Sequence, residues 1–462
     1  MPRTRSLNSA DLRLRIQSSG PLSAEELAGP LRVSRLTVQR AMRELEGEVV
    51  RLGITRATRY AIRRPVMGTL AQLKIDRINP HGDRNQWAEL TALYGGWQVE
   101  WAKKVPQWAS LITDHAGFCD GLPFFLSDLR PQGYLGRAVV RSLPAAHGLP
   151  PDIRTWSDDH TWGYLMHHGH DAPGNLVIGE RASTSFGAVP EAVLASERHV
   201  HYPRMATLAD AGHPAGSSVE GEQPKFIAYV AGDGACEPAP CVVKFTDRLD
   251  RPTGRRWADL LLGEQIAVSL LHDYESSDTA RPKLFDFDNR RFYEIPRFDR
   301  GYQGGRRGIV SLRSLHDAGV TGKDTTDWKE AARGLANGGW LTDADVDRIE
   351  LRWHFGRLIG NSDMHFGNLA FFWGDELPFQ VTPVFDMLPM LWAPRPAEAL
   401  PSPVFDPKPP DGDSRLWREA CQLAGVFWRK MEDAPELSDD FRSHAAAAGQ
   451  AVKRVSELGA HD

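Results

Sequence analysis

The chain is poor in cysteine. There are four in 462 residues, at 119, 236, 241 and 421, and no two form a CxxC pair. That pattern offers no zinc ribbon and no thioredoxin-type redox motif, and it fits free thiols in a reducing compartment, so a cytoplasmic location is expected. A long apolar run is also missing. No stretch approaches the roughly eighteen residues a membrane span needs, so no membrane partner is expected. The opening residues, Met-Pro-Arg-Thr-Arg-Ser, lack the apolar core of a secretory signal. Hydrophobic residues at 41% and charged ones at 25% are ordinary for a soluble globular protein, which sets aside disordered and fibrous classes. The length suffices for two or three domains with a large core.

Lysine is absent from residues 1–65, yet that segment holds thirteen arginines against six acidic residues, a balance of +7. With a whole-chain charge of −5, the remainder carries −12. A small basic module on an acidic body suggests a polyanion-binding arm, a solvated arginine-rich surface being the plainer alternative. The segment also has a pattern. A helical stretch over Asp11–Ser18 ends at Gly20-Pro21. Ser23 precedes a second helix with Glu26 three residues on, the spacing of a capping box, and Gly29-Pro30 is expected to stop it. Ser34 caps a third helix, with Val38, Ala41, Met42 and Leu45 on one face and Arg35, Gln39, Arg40 and Arg43 on the other. Two strands, Val49–Leu52 and Thr58–Ile62, then enclose a tip containing Arg56. Two short helices, a polar-faced third and a basic hairpin resemble a winged helix-turn-helix. Arg and Gln on the third helix suit base edges, and Arg56 and Arg59 suit phosphates, so DNA is the expected partner of residues 1–65. A winged helix used for protein contact is the alternative.

The middle of the chain, to about residue 210, shows strand-like pieces at Trp97–Trp101 and Leu176–Ile178 and a loop feeding a helix over Leu126–Gly136. His160, His167, His168 and His170 invite a metal reading, but no cysteine accompanies them and HExxH is absent, so exposed loop histidines are expected.

The strongest chemical signal lies later. In Gly360-Asn361-Ser362-Asp363-Met364-His365-Phe366-Gly367-Asn368 an Asp is followed by His at +2 and Asn at +5, and Asp386 closes the strand-like run Pro383-Val384-Phe385. Phosphoryl transfer from ATP needs such a set: one carboxylate to accept the proton of the attacking hydroxyl, and an Asn with a second carboxylate to hold Mg2+. Upstream, Ser217-Ser218-Val219-Glu220-Gly221-Glu222-Gln223-Pro224-Lys225 precedes an apolar strand, Phe226–Val230. Backbone N–H groups of a loop with a small residue can approach phosphates, although one glycine is weak evidence for that. Lys244 then sits inside the apolar run Cys241–Phe245, where an isolated ammonium is costly without an anionic partner; an edge lysine reaching solvent is the alternative. Glu264, on a helix read over Trp257–His272, is placed to hold Lys244, or else lies on that helix's solvent face. Strands at Lys283–Phe287 and Arg291–Ile295 lead to Pro296-Arg297-Phe298-Asp299-Arg300, where a hinge would meet adenine. Asp343–Leu358 reads as a helix running into the Asp363 loop, followed by strands Leu369–Trp373 and Gln380–Phe385.

Together these residues resemble the HipA family of bacterial toxin kinases over about residues 70–450, and the N-terminal module makes the chain most similar to the YjjJ-like branch. The resemblance implies an α+β fold: a bilobal protein-kinase-like body preceded by a small winged helix-turn-helix. The expected divisions are 1–65 for DNA binding, 66–215 for a HipA-like N-terminal subdomain, 216–300 for the ATP-binding lobe and 301–462 for a mainly helical lobe. It implies ATP and Mg2+ as cofactors. Asp363, with His365, would be catalytic, and Asn368 and Asp386 the metal ligands. Val219–Glu222, Gln223, Lys225, Lys244, Glu264, Ile295 and Arg297 would contact nucleotide. Ser218, or its neighbour Ser217, would be autophosphorylated. It further implies a protein substrate such as an aminoacyl-tRNA synthetase and an antitoxin partner. Two departures stand out: Pro296 where family members commonly have Glu, and Met387-Leu388-Pro389-Met390 in place of a serine-containing run. A small-molecule phosphotransferase and a nucleotide-sensing transcription regulator are the competing readings.

Overall fold

Three short helices open the chain, and each is started by its own cap. The Asn8 side chain accepts from the Ala10 N–H, Ser23 and Glu26 form a reciprocal capping box at 2.7 and 3.2 Å, and Ser34 accepts from the Thr37 N–H. The helices are Ser9–Ser19, Ala24–Leu31 and Arg35–Glu44. The second runs past Gly29-Pro30: Pro30 lies inside it, and the helix ends one residue later with Arg32 in the left-handed region. This is a computed structural model, and it describes residues 8–53, 58–69, 72–114, 116–143, 148–169, 172–179, 192–212, 223–231, 238–277, 279–322, 324–395, 400–410 and 415–458. Leu22–Ser23, Arg59–Ile62 and Val49–Leu52 form a three-stranded sheet with Arg59–Ile62 in the middle. Leu12, Ile16, Leu27, Val38, Ala41 and Met42 share a small core, while Arg35, Gln39, Arg40 and Arg43 are exposed. Arg56 lies outside the described residues.

Backbone bonds fasten this module to the middle of the chain. The Tyr94 N–H donates to Ile62 O at 2.9 Å, and the Arg64 N–H donates to Ala92 O at 3.0 Å. Leu52, Ala61, Leu93 and Phe118 form a shared core, and Arg64 makes a bidentate pair with Asp159 at 2.6 and 2.7 Å. Arg59, read from sequence as a phosphate contact, instead pairs with Asp114 and stacks over Phe118. An acidic partner and an aromatic face on the adjoining domain hold it there.

The middle unit is an antiparallel sheet in the order Phe118–Cys119, Gly96–Trp101, Arg84–Leu93, Gln72–Ile78 and Leu176–Ile178. Helices Gly133–Ser142 and Asp158–His168 accompany it. His160, His167 and His168 lie on the second of these helices rather than in a loop, and His170 is outside the described residues. Among the described residues no group of three or more His, Cys, Asp or Glu is placed to hold a metal ion. Trp87 packs edge-on against Trp101, Phe125 and Trp373, at 4.8, 5.1 and 5.4 Å between centroids. Trp373 belongs to the last domain, so aromatic packing joins the middle unit to it.

The rest of the chain forms a body of two lobes. The first is a five-stranded sheet in the order Lys283–Phe287, Arg290–Pro296, Ala239–Phe245, Lys225–Ala231 and Ala192–Leu194, the last parallel to its neighbour. That edge strand precedes the boundary read at 215/216, so the lobe begins earlier than the sequence division. The helix Pro252–Tyr274 packs on this sheet and starts five residues before Trp257, because Pro252 at its first position is preset for helical φ. The second lobe holds helices Leu312–Asp317, Trp328–Asn337, Asp343–Leu358, Arg415–Asp433 and Asp439–Leu458 and a small sheet of Gly308–Ser311, Ala370–Trp373 and Gln380–Val381. The last strand stops at Val381 rather than running to Phe385. Thr382 makes the final ladder bond, its N–H donating to Ala370 O at 3.0 Å, and Pro383 has no N–H to continue it. No described helix is long and apolar enough to cross a membrane.

Candidate active site

Two lysines meet at the first lobe's inner face. Lys225, expected in the phosphate loop, is the first residue of its strand and lies directly opposite Lys244 on the neighbouring one. They are 1% and 5% exposed. Lys244 Nζ donates to both carboxylate oxygens of Glu264, at 2.5 and 2.7 Å, and to Asp386 Oδ1. Glu264 is itself 1% exposed, so it faces the sheet and not solvent. Tyr293 supplies a ring face to the ammonium at 5.3 Å.

The charges hold one another in place. Burial pulls the Lys244 ammonium down, but Asp386 and Glu264 outweigh it and raise its pKa. Burial pushes Asp386 up, and Lys244 and Lys225 bring it below the ordinary carboxylate value. Glu264 ends raised: its own burial and the Asp386 charge exceed what Lys244 offers. Lys244 and Lys225 thus favour the charged form of Asp386.

The second lobe delivers the opposing loop through Gly360. The helix Asp343–Leu358 ends there with φ +72, and a Cβ at this position would lie 2.5 Å from the Trp392 ring. The chain then turns into Asn361–Asn368. Asn361, missed at the level of sequence, ties the loop together. Its Oδ1 accepts from the Asp363 N–H at 3.0 Å, and its Nδ2 donates to Asp386 O at 3.3 Å. Its only signal in the sequence is one more turn-forming Asn beside Gly360. Asn368 is buried and donates from Nδ2 to Asp363 O at 2.8 Å, which turns its Oδ1 away from that bond. His365 Nδ1 accepts from the Gly367 N–H at 3.0 Å and from Arg313, so its Nε2 carries the ring proton of the neutral form and lies 4.0 Å from Asp363 Oδ1. Asp386 has φ +52, a left-handed position that Asp tolerates better than most residues.

Asp363, His365, Asn368 and Asp386 line one cavity with Lys225, Lys244 and Gln223. Asp363 is the exposed member, its side chain 52% accessible. Partial desolvation and the Asp386 charge raise its pKa, against an opposite pull from His365. A second cavity of about 150 Å³ continues between the lobes, lined by Val242, Ile295, Phe298, Ile309 and Phe385 at its apolar end and by Lys244 and Asp386 at the other. Arg297 also borders it. Its guanidinium is committed to Asp299 at 2.9 and 3.0 Å, and its N–H donates to Pro240 O. Ser217, Ser218, Val219, Glu220, Gly221 and Glu222 lie outside the described residues.

Two lobes around a cleft, a lysine–glutamate pair on one side and an Asp–Asn–Asp set on the other define a protein-kinase-like fold of HipA type. Residues 217–455 match the HipA-like C-terminal domain, and residues 69–187 match the middle domain of YjjJ-like toxins. The chain is 34% identical over 444 residues to Toxin YjjJ of Escherichia coli (strain K12), covering 95% of this chain and 96% of that protein. The chain belongs to the HipA-like toxin family, in its YjjJ-like branch. A chain from the Shewanella oneidensis MR-1 HipA, HipB and operator DNA complex has the same fold, with a TM-score of 0.51, 16% identity, and coverage of 83% of this chain and 97% of that one.

Proposed function

We propose that the chain is an ATP-dependent serine/threonine protein kinase that also binds DNA through residues 1–65. The observation that carries the first half is Lys244 held by Glu264 and Asp386 at the mouth of an apolar slot, facing Asp363 across the cleft. The donor set fits ATP and Mg2+. The apolar slot suits a purine, two buried ammonium groups suit phosphates, and an ionised Asp386 with the Asn368 Oδ1 offers the hard oxygens Mg2+ prefers. When bound, the cation supplies neutralisation of phosphate charge. Lys244 and Lys225 hold the phosphates, and Glu264 keeps Lys244 aimed. Asp363 accepts the proton of the acceptor hydroxyl as that oxygen bonds to the γ-phosphorus, and the bond to the ADP oxygen breaks. His365, fixed by the Gly367 N–H, screens the Asp363 carboxylate. Autophosphorylation near Ser218 belongs to this reading.

For DNA, the exposed Arg35, Gln39, Arg40 and Arg43 on a helix whose other face is core supply the recognition surface. The whole reading is tested with labelled ATP in lysate, wild type against Asp363→Ala, with mass spectrometry of what is labelled. Label on protein, lost in the variant, is expected. Label only on a metabolite would make this a small-molecule kinase, and nucleotide binding with no transfer would make it a sensor.

A further inference from the structure

Two arginines beside the candidate catalytic loop have no carboxylate partner among the described residues. A cavity of about 570 Å³ opens on the outer side of Asp363, bordered by Arg313, Arg357, Trp353 and Asp324. Arg313 and Arg357 are exposed and make no ion pair among the described residues. Arg313 donates to His365 Nδ1 at 3.4 Å, and Arg357 lies over the Trp353 ring at 5.8 Å. They come from separate helices, Leu312–Asp317 and Asp343–Leu358, and both border the cavity beside the loop.

We propose that these arginines select the acceptor: a serine or threonine in an acidic peptide segment. The inference rests on the protein-kinase reading above. Asp363, Asp386 and three phosphates would repel an acidic acceptor, and two guanidinium groups at the entrance offset that repulsion. Among the described residues bordering this cavity, Asp324 and Asp363 are the carboxylates. A peptide fits better than a nucleic acid because little aromatic face is offered for base stacking. Trp353 is half-buried, tilted against Trp328 at 5.8 Å with Arg357 over it, and Phe366 is buried against His316 at 4.9 Å.

The test uses the full chain and three serine peptides of equal length with acidic, neutral and basic flanks. Binding is read by fluorescence anisotropy and transfer by labelled ATP. The acidic peptide should bind wild type about tenfold more tightly than the neutral one, and its advantage should fall as salt rises. Arg357→Glu, a surface change, should reverse the preference toward the basic peptide. Equal affinity for acidic and neutral peptides, or an unchanged preference in Arg357→Glu, overturns the proposal. So does tighter competition by a single-stranded oligonucleotide than by the acidic peptide. Acidic-selective binding without transfer of label overturns the kinase reading and leaves this surface standing. Transfer without selectivity does the reverse.

Discussion

Lys225 and Lys244 stand directly opposite each other on adjacent antiparallel strands, and both are almost fully buried. Like charges in that relation are unfavourable by themselves. Glu264 and Asp386 balance the two ammonium groups in formal charge, and the phosphates of a bound ATP would add further anions beside them. Lys225→Met should weaken ATP binding by about ten- to a hundredfold, the worth of a charge-assisted hydrogen bond, and should lower the melting temperature of the nucleotide-free protein less than the loss of Lys244, which makes the direct bonds to Glu264 and Asp386. Calorimetric titration with ATP and a thermal melt of each protein check both halves. Lys244→Met should behave differently. It strands two buried carboxylates, so it should lower stability by about 3–5 kcal/mol as well as abolishing turnover.

Asp363→Asn keeps the shape of the loop and removes the proposed proton acceptor. Turnover should fall by about 10²–10⁴-fold while ATP affinity holds. If Asp363 is the base, its raised pKa should place the acid limb of kcat/KM above the ordinary carboxylate value near 3.9. Activity should be present above that limb and lost as pH falls through it. Asp386 has the opposite shift and should not set the limb. A pH–rate profile on a peptide acceptor reads this directly; a limb at or below the free carboxylate value would exclude Asp363 as its source.

The parts of this site legible in the sequence are those spelled by local pattern. An ammonium in an apolar strand, a glutamate on the next helix and the Asp-x-His-x-x-Asn spacing each carry a chemical cost that only a partner relieves, so Lys244, Glu264 and Asp363 can be named. What stays hidden depends on pairing across long separations. Nothing local says that Lys225 faces Lys244, that Asn361 bonds the backbone near Asp386, or that Ala192–Leu194 forms an edge strand of the first lobe. Arg59 misleads for the same reason. Its charge and its place beside a hairpin tip favour phosphate, and only the fold brings Asp114 and Phe118 to it.

Asp299 anchors the segment that borders the apolar slot. It is buried, accepts from Arg297 and Arg300 and from the Gly174 N–H at 2.8 Å, and so ties the lobes to the middle unit. Burial raises its pKa, but the two guanidinium groups win and hold it far below the ordinary range. Its stabilising contribution is therefore complete above the unfolded value near 3.9 and is lost as pH falls below that. Asp299→Asn should cost about 3–5 kcal/mol near neutrality, because it removes the buried charge that the Arg297 and Arg300 guanidinium groups share. The deficit should shrink as pH falls below about 4. Chemical denaturation of both proteins at neutral and acid pH measures it.

The N-terminal module separates two kinds of arginine. Arg40 and Arg43 project from the exposed face of Arg35–Glu44, whereas Arg59 and Arg64 are spent on Asp114 and Asp159 of the middle unit. Arg43→Ala should weaken operator binding and lower the slope of log K against log salt by about one, the signature of a lost phosphate contact. Arg59→Ala should leave that slope unchanged, because its charge is directed into the protein. It should instead loosen the module, seen as faster hydrogen exchange at the Tyr94 and Arg64 amides that bridge the two units. If the module represses its own promoter in cis, removal of residues 1–65 should abolish promoter binding. A truncated protein that bound as tightly as the full chain would place the DNA contact on the kinase-like body instead.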